Sequence, residues 1–471
     1  MENASWPVHK RALFVFFLLS LLNLRAAAQQ STGKPSSLAN LIEASVRHYP
    51  AIRARQAQID AGKATVEDAR KAWLPAVRVG EQVNIGTDNS LSGAYFTLGF
   101  VPSASGGRRA VNRTDLAAGN VAALTAEWEV YNFGGYDART KEAEASLGID
   151  EAGMTREQYQ VEWAVVQQYF ELLKYRSMLT VQRNNIDRTL TVKNAVKAFA
   201  DNGLRPGVDT SVADAELSKA RLVYLDMANA YALVRSQISG LTGIDTAAIV
   251  VDTAIYRRLA ALFPLIAVLD TNAMQHPAVQ YSQAIYQDNI ARETLIRKSY
   301  MPKLYLMGSG WLRGSSISPS DVYNSSLGNG LAYSRSNYLL GGAITYNLLD
   351  PLRVKYKSNI QRAVTEVARQ NVEEQKLQVR QAQQQADINV RASIERLREI
   401  PRQLTAANEA YSQKLALYNA GLTNIVDLTT TLYLLNRAET DSILASDTAW
   451  KAIIRKAAAA NQLNLLLSNL N

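Results

Sequence analysis

The chain has no cysteine among its 471 residues, which excludes disulfides, thiolate metal sites and lipid attachment at an N-terminal cysteine. Histidine is nearly absent. His9 lies near the start, and His48 and His276 each lie close to a proline, where capping or packing is the expected role. The seven methionines do not cluster with these histidines, so a copper or silver site is unsupported. No nucleophile elbow, phosphate-binding glycine loop or metal-ligand spacing occurs. No active site and no cofactor are therefore expected, and an enzyme is the least favoured class. Charge of one sign is not concentrated either. Bases and acids alternate, and no basic block with interleaved aromatics marks a nucleic-acid surface. Beyond residue 28 no run of 18 apolar residues occurs, so no helical membrane span is expected.

The first 28 residues read as a signal peptide. Lys10 and Arg11 form a basic region, Ala12 to Leu24 an apolar stretch of 13 residues, and Ala26-Ala27-Ala28 the small residues before cleavage. Such a stretch is short for a spanning helix, which needs ~20 apolar residues. Export is expected. Removing this leader takes away three bases and one acid, lowering the formal charge from +9 to +7. An exported chain without helical spans is either soluble outside the cytoplasm or a β-barrel.

What remains is written twice. Tyr49-Pro50-Ala51 opens a stretch that closes at Pro75, and His276-Pro277-Ala278 opens one that closes at Pro302. Within these windows Gln56-Ala57 aligns with Gln283-Ala284, Arg70-Lys71 with Arg297-Lys298, and Trp73 with Tyr300. Tyr131-Asn132-Phe133 is echoed by Tyr346-Asn347-Leu348, and Asn202-Gly203-Leu204 by Ala420-Gly421-Leu422. An order-preserving repeat of this kind is duplicated architecture. The expected division is a leader (1–28), a first repeat (29–247) and a second repeat (248–471).

Each half reads as short helix, strand, polar loop, strand, very long helix, glycine turn, long helix. Helices are expected over 38–47 and 51–72, the latter ended by Pro75. Residues 76–86 alternate, with Val77, Val79, Val83 and Ile85 opposing Arg78, Gly80, Gln82 and Asn84. Residues 121–132 alternate again. In the second half 303–313 alternates less cleanly because of Gly308 and Gly310, and 337–348 alternates through Tyr338, Leu340, Ile344 and Tyr346. Segments of about ten residues with one apolar face fit transmembrane β-strands, or half-buried strands of a soluble sheet. The stretches 87–120 and 314–337 are rich in Gly, Ser and Asn and suit exposed loops. Four strands cannot close a barrel without leaving edges in lipid, so spanning strands imply several copies.

From Tyr136 to Ala200 no proline occurs, enough for roughly 95 Å of helix. Val165, Leu172, Leu179 and Ile186 recur at steps of seven, as do Val390, Leu397, Leu404, Tyr411 and Tyr418 in the matching run 352–419. Pro401 interrupts the second run without changing its phase, which predicts a kink rather than a break.

Together, the leader, the repeats, four membrane-like strands and two long helical hairpins resemble the TolC-type outer-membrane efflux proteins, the outer membrane factor family. The most specific pieces are the hairpin turns, Asn202-Gly203-Leu204 through Asp209 and Ala420-Gly421-Leu422 through Asp427. The resemblance implies a mainly α protein with membrane β-strands. It implies a homotrimer with a twelve-stranded barrel in outer-membrane lipid and a periplasmic α-barrel. It also implies an exit duct served by a periplasmic adaptor and an inner-membrane transporter, for small-molecule efflux or for type I protein secretion. A coiled-coil adaptor and a structural coiled coil are the rival readings.

The turns are the candidate sites. Asp209 and Asp427 match the family's acidic tip positions and Tyr418 a tyrosine that helps hold the closed state. In a trimer each aspartate forms a carboxylate ring at the periplasmic mouth, or else serves as a helix N-cap. Gly203 and Gly421 permit the left-handed turn, leaving Leu204 and Leu422 as apolar knobs for the adaptor or as leucines packed on their own hairpins. Two positions depart from the family pattern: Thr423 stands where a base is expected, and Thr430 where a second acid is expected.

Overall fold

The computed structural model describes residues 37–87, 89, 111–251, 273–318, 322–324, 326–463 and 465. The predicted signal peptide and His9 lie outside the described residues. The elements, in chain order, are α1 (Leu38–His48), α2 (Pro50–Lys71), β1 (Ala76–Gly86), β2 (Ala117–Tyr131), α3 (Gly135–Asp201) and α4 (Gly207–Thr242). Then follow α5 (Pro277–Ser299), β3 (Lys303–Ser315), β4 (Arg335–Thr345), α6 (Asp350–Asn419) and α7 (Ile425–Ala459). The predicted strands and helices are found within a few residues of their expected bounds.

Proline sets several of these bounds. The Ser37 hydroxyl caps α1 by accepting the Asn40 N–H at 3.2 Å. Tyr49 is extended, as a residue before proline must be, and Pro50 then opens α2 where its missing N–H costs nothing. Pro277 opens α5 in the same way. α6 runs unbroken through Pro401.

The chain forms two compact units, each drawing on both halves of the sequence. One comprises Ala57–Ala152 and Tyr281–Glu373 and holds the sheet. Its order is β1-β2-β3-β4, every pair antiparallel. Antiparallel partners share a face, so the register sorts the side chains. One face carries Val77, Val79, Leu124, Leu306, Tyr338 and Leu340, all exposed. The opposite face carries Arg78, Thr125, Ser309, Arg313 and Asn337. The alternation expected from the sequence thus extends across all four strands, with exceptions such as Glu81 and Asn120 on the apolar face and Met307, Trp311 and Leu339 on the other.

Where the strands join the helices, Glu129 is held on the polar face by Lys303 Nζ at 3.0 Å and by the Tyr305 hydroxyl at 3.0 Å. Trp128 Nε1 donates to the Trp73 carbonyl at 2.7 Å, and the two rings stand 6.1 Å apart.

The loop after β3 is mostly exposed where it is described, as expected, and part of it also folds back over the sheet. Asn120 Nδ2 donates to the Leu331 carbonyl at 3.1 Å, and the Tyr333 hydroxyl donates to Glu81 at 2.7 Å. The reason is Glu81 itself. It falls in register with Val79 and Val83 on the apolar face, where Tyr333 of this segment and Asn120 of β2 donate to it.

The second unit comprises the residues up to Gln56, Gly153–Gln280 and Glu374 onward. Its main core joins α1, α3, α4 and α7 around Trp450, Phe170, Leu41, Leu172 and Ile238, with the Phe170 and Trp450 rings 5.1 Å apart. Val165 and Leu172 of the predicted heptad lie in this core, and Leu179 and Ile186 are half-buried. Arg188 of α3 forms a bidentate pair with Glu439 of α7, one contact being 2.9 Å. Lys451 is held between Glu171 and Asp447.

Candidate functional site at the hairpin turns

Both long helices end in the same backbone device. At the end of α3 the Leu204 N–H donates to the Phe199 carbonyl at 2.9 Å and the Gly203 N–H to Ala200 at 3.0 Å. At the end of α6 Leu422 donates to Leu417 at 2.9 Å and Gly421 to Tyr418 at 3.0 Å. These are the two bonds of a Schellman motif, which needs a left-handed residue at its pivot. Gly203 has φ +70° and Gly421 φ +77°, and a Cβ at either position would meet open space. Glycine is required here by the dihedral alone.

In a Schellman motif the residue after the pivot often packs back on the helix. Here it does not: Leu204 is 69% exposed and Leu422 73% exposed. The reading in which these leucines are buried on their own hairpins is not met within the chain.

The two aspartates take different places from each other, and neither is an N-cap. Pro206 caps α4 without a side-chain bond, and Asp209 is the third residue of the helix, half-buried, with no ion pair among the described residues. Its negative charge lies where the helix dipole favours it. In α7 the cap is Asn424, whose Oδ1 accepts the Asp427 N–H at 2.8 Å. The Asp427 carboxylate accepts Lys414 Nζ at 3.1 Å and the Thr423 hydroxyl at 3.0 Å. The Lys414 hydrogen bond, followed by that from Thr423, holds this exposed carboxyl below the usual aspartate range.

Tyr418 is 1% exposed, in a cluster with Val196 of α3, Ala213 of α4 and Leu428 of α7. Its hydroxyl has no hydrogen-bond partner among the described residues. Burial raises the phenol pKa and the nearby Asp209 raises it further, while Arg205 acts in the opposite direction. The Phe199 ring meets it edge-on, with centroids 6.2 Å apart.

The residue that joins the two turns is Arg205. Its Nη2 donates to the Thr423 carbonyl at 2.8 Å, and its guanidinium carbon lies 5.1 Å from the Tyr418 ring centroid. The base missing at Thr423 is therefore present in the other turn, at the equivalent place after Gly203-Leu204. Comparing Gly203-Leu204-Arg205 with Gly421-Leu422-Thr423 was the sequence signal available for it. Thr430, at the missing acid, bonds its hydroxyl to the Val426 carbonyl of its own helix at 2.7 Å. Lys414 and Asn424 were not singled out from the sequence.

The described residues thus form a four-stranded antiparallel meander with one apolar face and two long helical hairpins whose turns meet. The model of the outer membrane efflux protein family matches residues 41–243. No curated protein sequence matches the chain. Among solved structures it resembles the outer-membrane channel OprN, at 17% identity and TM-score 0.70 over 90% of each chain. VceC from Vibrio cholerae is similar at 13% identity and TM-score 0.69, over 90% of this chain and 95% of that one. The Campylobacter jejuni CmeC outer-membrane channel is similar at 12% identity and TM-score 0.71, over 94% of each chain. The family model covers less than half of the chain, and the likeness to these solved structures, each under 25% identical, is one of fold.

Proposed function

We propose that the chain is the outer-membrane exit channel of a tripartite efflux pump, a homotrimer that passively conducts small molecules delivered by an inner-membrane transporter and a periplasmic adaptor. The observation that carries this is the sheet. Its apolar face is exposed, Val79 at 85% and Leu340 at 80%, and its two edge strands β1 and β4 have no partner strand among the described residues. An open apolar sheet is untenable in lipid until its edges pair, and three copies joined edge to edge supply the closure. Trp73 and Trp128 at the helix end fit an interfacial aromatic girdle.

The helices support assembly in the same way. Exposed Val208, Leu222, Leu225 and Leu233 line α4, and exposed Tyr356, Ile360, Val367 and Leu377 line α6. Such apolar positions on otherwise polar helices suit packing against neighbouring copies. The two sequence repeats, 29–247 and 248–471, then act as structural equivalents.

In this reading the hairpin turns are the periplasmic mouth. Asp209 is the carboxylate free to form a ring of three, whereas Asp427 is engaged with Lys414. Tyr418 anchors the turns from within, and Leu204 and Leu422, held out by Gly203 and Gly421, are the adaptor contacts.

The test is native mass measurement of protein extracted by detergent from an outer-membrane fraction. Three copies per particle are expected. A water-soluble monomer overturns the proposal.

A further inference from the structure

The polar face of the sheet is not uniformly polar. Arg313 and Arg335 are direct cross-strand partners in β3 and β4. Directly opposed residues on one face hold their Cβ atoms about 4.5–5.5 Å apart, and like charges in that position are destabilising. Gln82 and Val121 complete their row. Arg78 lies on the same face, in the row of Thr125, Ser309 and Leu339, four residues along β1 from Gln82. Between the two rows lies that of Gly80, Ala123, Trp311 and Asn337, which carries no charge.

All three arginines are exposed, and none has an ion pair among the described residues. The acids of this face, Glu127 and Glu129, sit nearer the helix end, and Glu129 is neutralised by Lys303 at 3.0 Å. Glu81, the acid closest in sequence to Arg78 within β1, points to the other face and is occupied by Tyr333 and Asn120. Among the described residues the Arg313–Arg335 row at the loop end thus has no acid within the strands to offset it, whereas Arg78 lies one row from Glu127.

We infer that Arg313 and Arg335 form an anion-attracting belt at the outer exit of the pore, so that the channel favours anionic solutes. This rests on the proposed trimeric barrel, which turns the polar face inward and brings three copies of the arginine pair into one row. Rings of arginine or lysine are how anion pores select. A water-filled lumen with low-dielectric walls concentrates such a field and raises the local anion concentration. The same field offsets the repulsion within each arginine pair whenever an anion occupies the row.

The test compares wild type with the Arg313→Gln/Arg335→Gln double variant, both residues being exposed and away from any packed core. Each protein is first sized after detergent extraction. The reversal potential is then measured in a KCl gradient, and binding of the trisulfonate dye pyranine is followed by quenching of tryptophan fluorescence, Trp311 lying one row away. Wild type is expected to prefer chloride over potassium and to bind pyranine in a salt-sensitive way. The double variant is expected to lose the preference and to bind about tenfold more weakly or worse. A trimeric double variant with unchanged reversal potential and pyranine affinity overturns the belt and leaves the channel standing. A monomeric wild type overturns both.

Discussion

Arg205 and Thr423 lie 218 positions apart and join the two helical turns through a single hydrogen bond of 2.8 Å from guanidinium to carbonyl oxygen. The acceptor is backbone, so the side chain at position 423 is not needed for it. Arg205→Ala is expected to remove the bond and the cation–π contact with Tyr418, lowering stability by about 1–3 kcal/mol and lengthening open times in single-channel recordings. Thr423→Ala leaves the bond in place and removes only the hydroxyl contact to Asp427. Equal gating effects from the two variants would contradict this account of the turn.

Tyr418 separates a packing role from a hydrogen-bonding one. Its hydroxyl is buried without a partner, so Tyr418→Phe is expected to leave the thermal midpoint unchanged or raise it slightly. Tyr418→Ala opens a cavity in the turn cluster and is expected to cost about 3–5 kcal/mol. A Phe variant as damaged as the Ala variant would show that the hydroxyl is used in the assembled protein.

The exposed leucines make the opposite prediction. Leu204→Asp and Leu422→Asp are expected to change stability by less than about 0.5 kcal/mol, because neither side chain is packed within the chain. Both are expected to abolish transport and cross-linking to the adaptor. Gly203→Pro and Gly421→Pro, which cannot adopt a positive φ, are expected to abolish transport with the trimer still assembled. Undiminished efflux in these variants would remove the turns from the functional site.

His276 makes stability sensitive to acid. Burial lowers its pKa, its Nδ1 accepts the Ala278 N–H at 3.2 Å, and its ring packs edge-on against Tyr159 at 5.1 Å. The folded state thus favours the neutral ring. The unfolded chain binds the proton first, so this contribution is full above the ordinary histidine value of about 6.5 and is lost as pH falls from there through the depressed folded value. The thermal midpoint of wild type is expected to fall between pH 7.5 and 5.5 by more than that of His276→Asn, which keeps an acceptor but does not titrate. Identical pH dependence would exclude His276 as the source.

Most of the fold was legible because its signals are local and periodic. Prolines at 50, 75, 277 and 302 mark element ends, alternation marks β1 to β4, and heptads mark α3 and α6. What escaped was long-range or context-dependent. Glu81 breaks the alternation of β1, and only the register shows Asn120 and Tyr333 arriving to satisfy it. Asp209 and Asp427 look alike as acids six residues past a glycine, yet only Asp427 has a lysine one helix away. Arg205 was visible as a residue, but its partner is a carbonyl, which carries no sequence signature.

The central claim is that this chain forms a pore, and single-channel conductance in a planar bilayer tests it most directly. Membrane-extracted wild type is recorded beside Arg205→Ala. The account predicts discrete conductance steps from a trimeric sample, with longer openings in the variant. A folded, monodisperse sample of the variant that yields no steps would contradict it.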